Sequence, residues 1–183
     1  MGPAEIDAWV TQAIEGAKAA SGIRRQEFFW TQRPGASLEE IERCEAVCNI
    51  DLSPSHREIL LYMDGAEIVF RFDGTLLKYE LLSTSVIATR LPELRAENDA
   101  SSPANRPETL WNDLIPVFDL GDTQYLLSDP GRRDKDEYEV FYGYLESGPE
   151  EWRGFPAFAS TVDGALRKIL ESFIETDGII WFY

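Results

Sequence analysis

Ile68-Val69-Phe70-Arg71-Phe72-Asp73-Gly74-Thr75-Leu76-Leu77-Lys78-Tyr79 is the stretch that decides the fold class. Two runs rich in aliphatic and aromatic residues flank Asp73-Gly74, a pair that accepts the positive φ angles of a tight hairpin turn. The segment reads as two antiparallel strands. The N-terminal side of this hairpin has mostly a helical period, and the C-terminal side has mostly the texture of strands.

Toward the N-terminus, Ile6, Trp9, Val10, Ala13, Ile14 and Ala17 recur at helical spacing, which predicts a helix over Pro3 to Ala20 with Gly22 as its stop. Phe28, Phe29 and Trp30 form a short apolar run ended by Pro34 and Gly35, either a strand or a packed loop. Ser37 with Glu40 three residues on is a capping box, opening a helix whose apolar stripe is Leu38, Ile41, Cys44 (or Glu45) and Cys48. Ser53 is then expected to cap a third helix with Pro54 at its first position. Ile59, Leu60, Tyr62 and Met63 are that helix's apolar residues, and Asp64-Gly65 its end.

Beyond the hairpin, one helix or two are predicted from Ser83 to about Glu97, and the polar Asn98–Pro107 stretch reads as a surface loop. Leu114 to Phe118 and Gln124 to Leu127 read as strands with Gly121 between them. A charged loop, Asp129–Glu137, leads to another strand, Tyr138 to Tyr144. Thr161 or Asp163 opens a last helix with Leu166, Ile169, Leu170 and Phe173 on its core face. After Gly178 the apolar Ile179–Tyr183 tail either packs intramolecularly or contacts a second subunit. Helices first, antiparallel strands in the middle and a helix at the end make an α+β order.

With 183 residues, one domain spanning the chain is expected, as a monomer or weak homodimer. The 44% hydrophobic and 12% aromatic content is that of a chain that folds. No apolar run is long enough to cross a bilayer, and no basic stretch leads into an apolar one at the N-terminus, so a cytoplasmic location is expected. Asp and Glu number 33 against 17 Lys and Arg, a net charge of −16. Such a field repels phosphate backbones and anionic lipid, so neither nucleic acid nor membrane is an expected partner; it favours a basic one, or serves solubility alone.

Reactive chemistry finds little support. The single histidine, His56, falls near the start of the third helix, where an exposed polar residue is expected. Cys44 and Cys48 stand one helical turn apart on one face and read as buried, reduced thiols, too few for a structural zinc site. No phosphate-cradling glycine motif opens a helix, so no cofactor is expected. Asp119, Asp122 and Asp129 border one predicted hairpin. They read as turn residues, with a magnesium or acid/base pair as the competing use. The densest acidic stretch, Asp134, Asp136, Glu137, Glu139, Glu146, Glu150 and Glu151, is interleaved with Tyr138, Tyr142, Tyr144 and Trp152. It is either a solvated loop beside a half-buried strand or a recognition edge of aromatic anchors ringed by charge.

Ser37-Leu-Glu-Glu-Ile-Glu-Arg-Cys-Glu45 and Leu52-Ser-Pro-Ser-His-Arg-Glu-Ile-Leu-Leu-Tyr-Met-Asp-Gly65 resemble the N-terminal signature of the SUKH superfamily. That superfamily includes fungal cell-wall-assembly regulators and bacterial immunity proteins. The downstream order is similar too: Trp111 ahead of Leu114-Ile-Pro-Val117, Gly121-Asp122 before Tyr125-Leu-Leu-Ser-Asp129, a strand at Glu139–Tyr142 and a closing helix through Ile169-Leu170-Glu171. The resemblance runs from about Ala36 to Ser172, with departures at Ser53, which separates Leu52 from Pro54, and at Asp64 in place of Asn. It implies a mixed, largely antiparallel twisted sheet with helices packed against it. It also implies a non-catalytic role, binding and neutralising a cognate toxin, and the net charge of −16 makes a basic toxin domain the expected partner. The alternatives are a regulatory module binding an endogenous protein and, less favoured, a small hydrolase using Asp119, Asp122 and Asp129. Partner-binding candidates are Tyr142, Tyr144 and Trp152 as anchors, with Glu146, Glu150 and Glu151 as rim.

Overall fold

The computed structural model describes residues 2–19, 28–72, 75–100, 114–144 and 156–175. Within them lie helices α1 (Pro3–Ala19), α2 (Leu38–Cys48), α3 (Pro54–Tyr62), α4 (Thr84–Ala100) and α5 (Val162–Glu175). The strands are β1 (Phe28–Gln32), β2 (Ala66–Phe72), β3 (Thr75–Leu81), β4 (Ile115–Gly121), β5 (Gln124–Asp134) and β6 (Glu137–Tyr144). The strands form one sheet in chain order, and every pairing is antiparallel. The sheet was expected to be mixed and largely antiparallel; it is antiparallel throughout, with helices packed on it in the α+β fold read from the sequence. Phe72 pairs with Thr75, so Asp73-Gly74 fall at the turn position read from the sequence, outside the described residues. No helix among the described residues is long and apolar enough to cross a membrane.

Local signals account for several of these boundaries. Ser37 and Glu40 form the reciprocal capping box at the start of α2, which ends on Asn49 in the left-handed region (φ 51°). Gly65 takes φ 91° at the entry to β2. Asp64 accepts the Thr84 backbone N–H at 2.7 Å and so caps α4 from twenty residues away in sequence. That helix is continuous through Pro92, although the sequence left one or two helices open.

One expected cap is absent. Ser53 has the extended N-cap backbone before Pro54, yet its side chain makes no cap hydrogen bond. The carboxylate of Glu137, at the start of β6, takes that role by accepting the Ser55 N–H (2.9 Å) and hydroxyl (2.6 Å). The Ser55 oxygen in turn accepts the Val162 N–H at 3.2 Å, which ties α3, β6 and α5 at one point.

One face of the sheet carries α1 and α5. Ile6, Val10 and Ala13 join Leu166, Ile169, Leu170 and Phe173 over Ile68, Phe70, Leu126 and Val140. Phe173 and Tyr79 both meet Phe70 edge-on, at 4.8 and 4.9 Å between ring centroids. Each such pair contributes about 0.5–1.5 kcal/mol beyond its buried area. Successive side chains of a strand point to opposite faces. Tyr125 and Leu127 therefore leave that core and cluster with Leu94 of α4 on the other side. Cys44 and Cys48 pack against Ile87 and Leu91, while Ile41 and Leu60 meet Ile115 and Tyr138. These contacts bring the C-terminal end of α2 beside the far half of β5, where the candidate site forms.

Candidate protein-interaction cleft

The segment expected as a charged loop, Asp129–Glu137, is strand as far as Asp134, followed by a two-residue turn at Lys135-Asp136 with Lys135 at φ 60°. Its distinguishing feature is a bulge. Register runs from Asp129↔Glu139 directly to Arg133↔Tyr138, leaving Pro130, Gly131 and Arg132 without ladder partners on β6. The Arg132 side chain still reaches the Glu139 carboxylate, at 3.1 Å. Asp129 folds the bulge back on itself by accepting the Gly131 N–H at 2.8 Å. Proline cannot donate to a ladder, which favours the break at Pro130.

Opposite the bulge, the chain leaves α2 through Asn49, Ile50 and Asp51. Glu45 fixes this exit: both of its oxygens meet Arg57 Nη1 at 3.0 Å, and one accepts the Leu52 N–H at 2.9 Å. Between the two elements lies a cleft of ≈ 690 Å³ whose ionisable lining is Glu45, Asp51, Asp129, Arg133 and Tyr138. A second hollow of ≈ 470 Å³ adjoins it, shares Arg133 and Tyr138, and adds Arg57, Glu58 and Asp136. Tyr138 is only 7% exposed. Burial and the charges of Asp51, Asp136 and Glu45 push its hydroxyl pKa up, against the opposing pull of Arg133. Among the described residues, the Arg133 guanidinium makes no ion pair.

The aspartates weighed for acid/base or metal chemistry do not come together. Asp119 pairs with Tyr125, four positions before Asp129 on β5, about 13 Å along the strand. Asp119 accepts the Gly121 N–H at 2.8 Å, and Asp122 sits at the exposed β4–β5 turn with φ 47°. Asp129 alone lines the cleft. Turn chemistry accounts for Asp119 and Asp122. No group of three or more His, Cys, Asp or Glu side chains among the described residues is placed to hold a metal ion.

His56 corrects the sequence reading. It is fully buried rather than exposed, and neither ring nitrogen has a hydrogen-bond partner among the described residues. Desolvation lowers its pKa to about 4. The cause is local: Ile59 and Leu60 must face the core, and His56 sits one turn before them on the same side of α3. Cys44 and Cys48 are buried free thiols, as read, and the Cys48 thiol donates to the Ile87 carbonyl at 3.6 Å.

Of the partner-binding candidates, Tyr142 lies on β6 and packs, partly buried, against the main core. Tyr144 ends the same strand, opposite Gln124. The side chain of Tyr144, and Glu146, Glu150, Glu151 and Trp152, lie outside the described residues, as does the Ile179–Tyr183 tail. Sequence reasoning missed Glu45, Asp51, Arg57 and Arg133. The Asp129-Pro130-Gly131 run was the one available signal, a turn sequence inside an apparent loop.

The family model for SMI1 / KNR4 (SUKH-1) matches residues 35–175, well over half of the 183-residue chain. The chain belongs to the SMI1/KNR4 family. Membership identifies a protein-interaction domain of a family that is generally non-enzymatic, in an α+β fold. Among curated proteins none matches the chain. The family match begins just before α2, yet Ile6, Val10 and Ala13 of α1 belong to the same core as α5, and β1 extends the sheet. The N-terminal extension is thus integral to the packing of this family member.

Proposed function

We propose that this SMI1/KNR4-family domain is an immunity protein, which binds a cognate bacterial toxin and neutralises it by covering its working surface. The observation that carries the reading is the charge of −16 on a fold of this family. A toxin that cuts nucleic acid needs a basic surface to hold its substrate, and an acidic partner competes for that surface and is steered to it. The protein acts as one domain in the cytoplasm, as a monomer or weak homodimer, and needs no cofactor. Two surfaces are candidates for the contact. One is the cleft between α2 and the β5 bulge. The other is the Tyr142, Tyr144 and Trp152 set with Glu146, Glu150 and Glu151, which begins at Tyr142 on β6, roughly 13 Å along the strand from Tyr138. A standard interface of ~1,600 Å² is wide enough to reach both.

The test is to co-express the product of the adjacent toxin gene and measure binding by calorimetry at low and high salt. Tight binding that weakens as salt rises is expected, because exposed charges are screened within about 8 Å at physiological ionic strength. A neighbouring gene product that does not bind removes the proposal. Capture of an endogenous protein from cells without such a gene would move the reading to a regulatory module.

A further inference from the structure

We infer that the cleft between the C-terminal end of α2 and the β5 bulge is a socket for a cationic side chain, an arginine or lysine, presented by a protein partner. This rests on the protein-binding reading above and names the chemistry that the cleft recognises. Asp129 is 2% exposed, and a carboxylate that deeply buried is normally paired with a cation. Here one oxygen takes the Gly131 N–H. The other oxygen has no partner among the described residues and is not sealed off, since the fully buried unpartnered side-chain atoms are the nitrogens of His56 and the Ser128 hydroxyl. Asp129 is among the residues that line the cleft.

A second group points the same way. Tyr138 is more than nine-tenths buried and lines the cleft, and its hydroxyl has no hydrogen-bond partner among the described residues. Burial and then Asp51 raise its pKa, with smaller contributions from Asp136 and Glu45 and an opposing one from Arg133. Glu45, Ala46, Asn49 and Ile50 line the wall at the C-terminal end of α2, whose last turn contains no basic residue, although Arg95 of α4 donates to the Cys48 carbonyl there and offsets part of the negative end of the helix dipole. Glu45 is already committed to Arg57 and the Leu52 N–H, so Asp129, Asp51 and the Tyr138 hydroxyl remain as acceptors. With Glu45 paired to Arg57, two carboxylates, Asp51 and Asp129, stand beside one guanidinium, that of Arg133, a balance that disfavours an anion. A guanidinium or ammonium can meet several acceptors at once and replace the missing counter-charge of Asp129. Arg133, as a like charge beside the socket, opposes the incoming cation.

The probes are argininamide and lysinamide, titrated into the ¹⁵N-labelled protein against sodium chloride at matched ionic strength, with magnesium and calcium chloride as a parallel arm. Saturable shifts of the Asp129, Gly131 and Tyr138 amides are expected with either organic cation. They should be lost in Asp129→Asn, which keeps the acceptor for the Gly131 N–H and removes the charge, and should saturate at lower concentration in Arg133→Ala. Shifts that follow ionic strength alone, persist in Asp129→Asn, or saturate only with a divalent ion overturn the inference. With the toxin as ligand, Asp129→Asn should weaken binding on the order of 30-fold or more while the melting temperature is unchanged or higher. Equal toxin binding by Asp129→Asn defeats the socket and leaves the immunity reading intact. Saturation by argininamide with no toxin binding defeats the immunity reading and leaves the socket.

Discussion

Lowering the pH should destabilise this protein through His56, by an amount set by its burial. The ring is neutral in the fold because desolvation depresses its pKa from 6.5 to about 4. Between those values the unfolded chain binds a proton that the native state refuses, so stability falls as pH falls through the window. Above pH 6.5 both states are neutral at this site and the full contribution is present; below about 4 both are protonated and it is gone. A shift of 2.5 units, at about 1.4 kcal/mol per unit, gives about 3 kcal/mol in all, of which about 2 kcal/mol is lost by pH 5. That is a large part of an ordinary stability of ~5–15 kcal/mol.

The sequence isoelectric point of 4.4 makes pH 5 a practical lower limit for solubility. The assay is urea unfolding at pH 7.5 and pH 5 for the native sequence and for His56→Leu. The carboxylates titrate in both proteins, so the difference between the two pH dependences isolates the ring. The native protein should lose about 2 kcal/mol more than His56→Leu over this interval. At pH 7.5 the leucine variant should be equal or more stable, because it removes two buried nitrogens without partners among the described residues. Superimposable pH dependences, or an imidazole that titrates near 6.5 by NMR in the folded protein, would refute the reasoning.

Glu137→Ala should cost about 2–3 kcal/mol by leaving the Ser55 N–H and hydroxyl without their acceptor. Ser55→Ala should be strongly non-additive with it in a double-mutant cycle, and additivity would show that the junction of α3, β6 and α5 is not one unit. Gly35→Ala should cost about 3 kcal/mol or more, read as loss of soluble folded protein or a lowered urea midpoint, since its Cβ would stand inside contact distance of the Leu61 carbonyl. Asp64→Ala should cost about 1–2 kcal/mol and fray the first turn of α4, measurable as faster amide exchange at Thr84.

What could be read in advance was local. The capping box at Ser37 and Glu40, the hairpin around Asp73-Gly74 and the Gly65 stop all act within a few residues, and each lies where the pattern put it. Glu137 illustrates the opposite case. It caps a helix eighty-two residues earlier, and no spacing rule links it to Ser55. His56 was misread because polarity was weighed above position, although the turn it shares with Ile59 and Leu60 made it a core site. The cleft was illegible for a compound reason. Its walls come from the end of α2 and from a bulge in β5, and a bulge shifts the period-two alternation that marks a strand, so the run from Asp129 passed as loop.

The acidic residues that build the fold also leave its electrostatic field in place. Glu40, Asp64, Asp119, Asp129 and Glu137 all accept hydrogen bonds from backbone N–H groups, at helix starts, at turns and at the bulge. An amide donor satisfies a carboxylate's lone pairs without cancelling its charge. Glu45 differs, since Arg57 pairs with it directly. Architecture and potential therefore draw on the same groups, and most caps remain part of the −16 that a partner would sense. Exposed carboxylates such as Asp51 and Asp122 contribute to the field with no such structural bond among the described residues. Neutralising these should change encounter more than stability, whereas removing the acceptor of a cap must change both. Within one acidic chain, the carboxylates free to serve recognition are thus separable from those the fold requires by what each one accepts, and Asp129, committed to its own bulge and also lining the cleft, falls on the boundary.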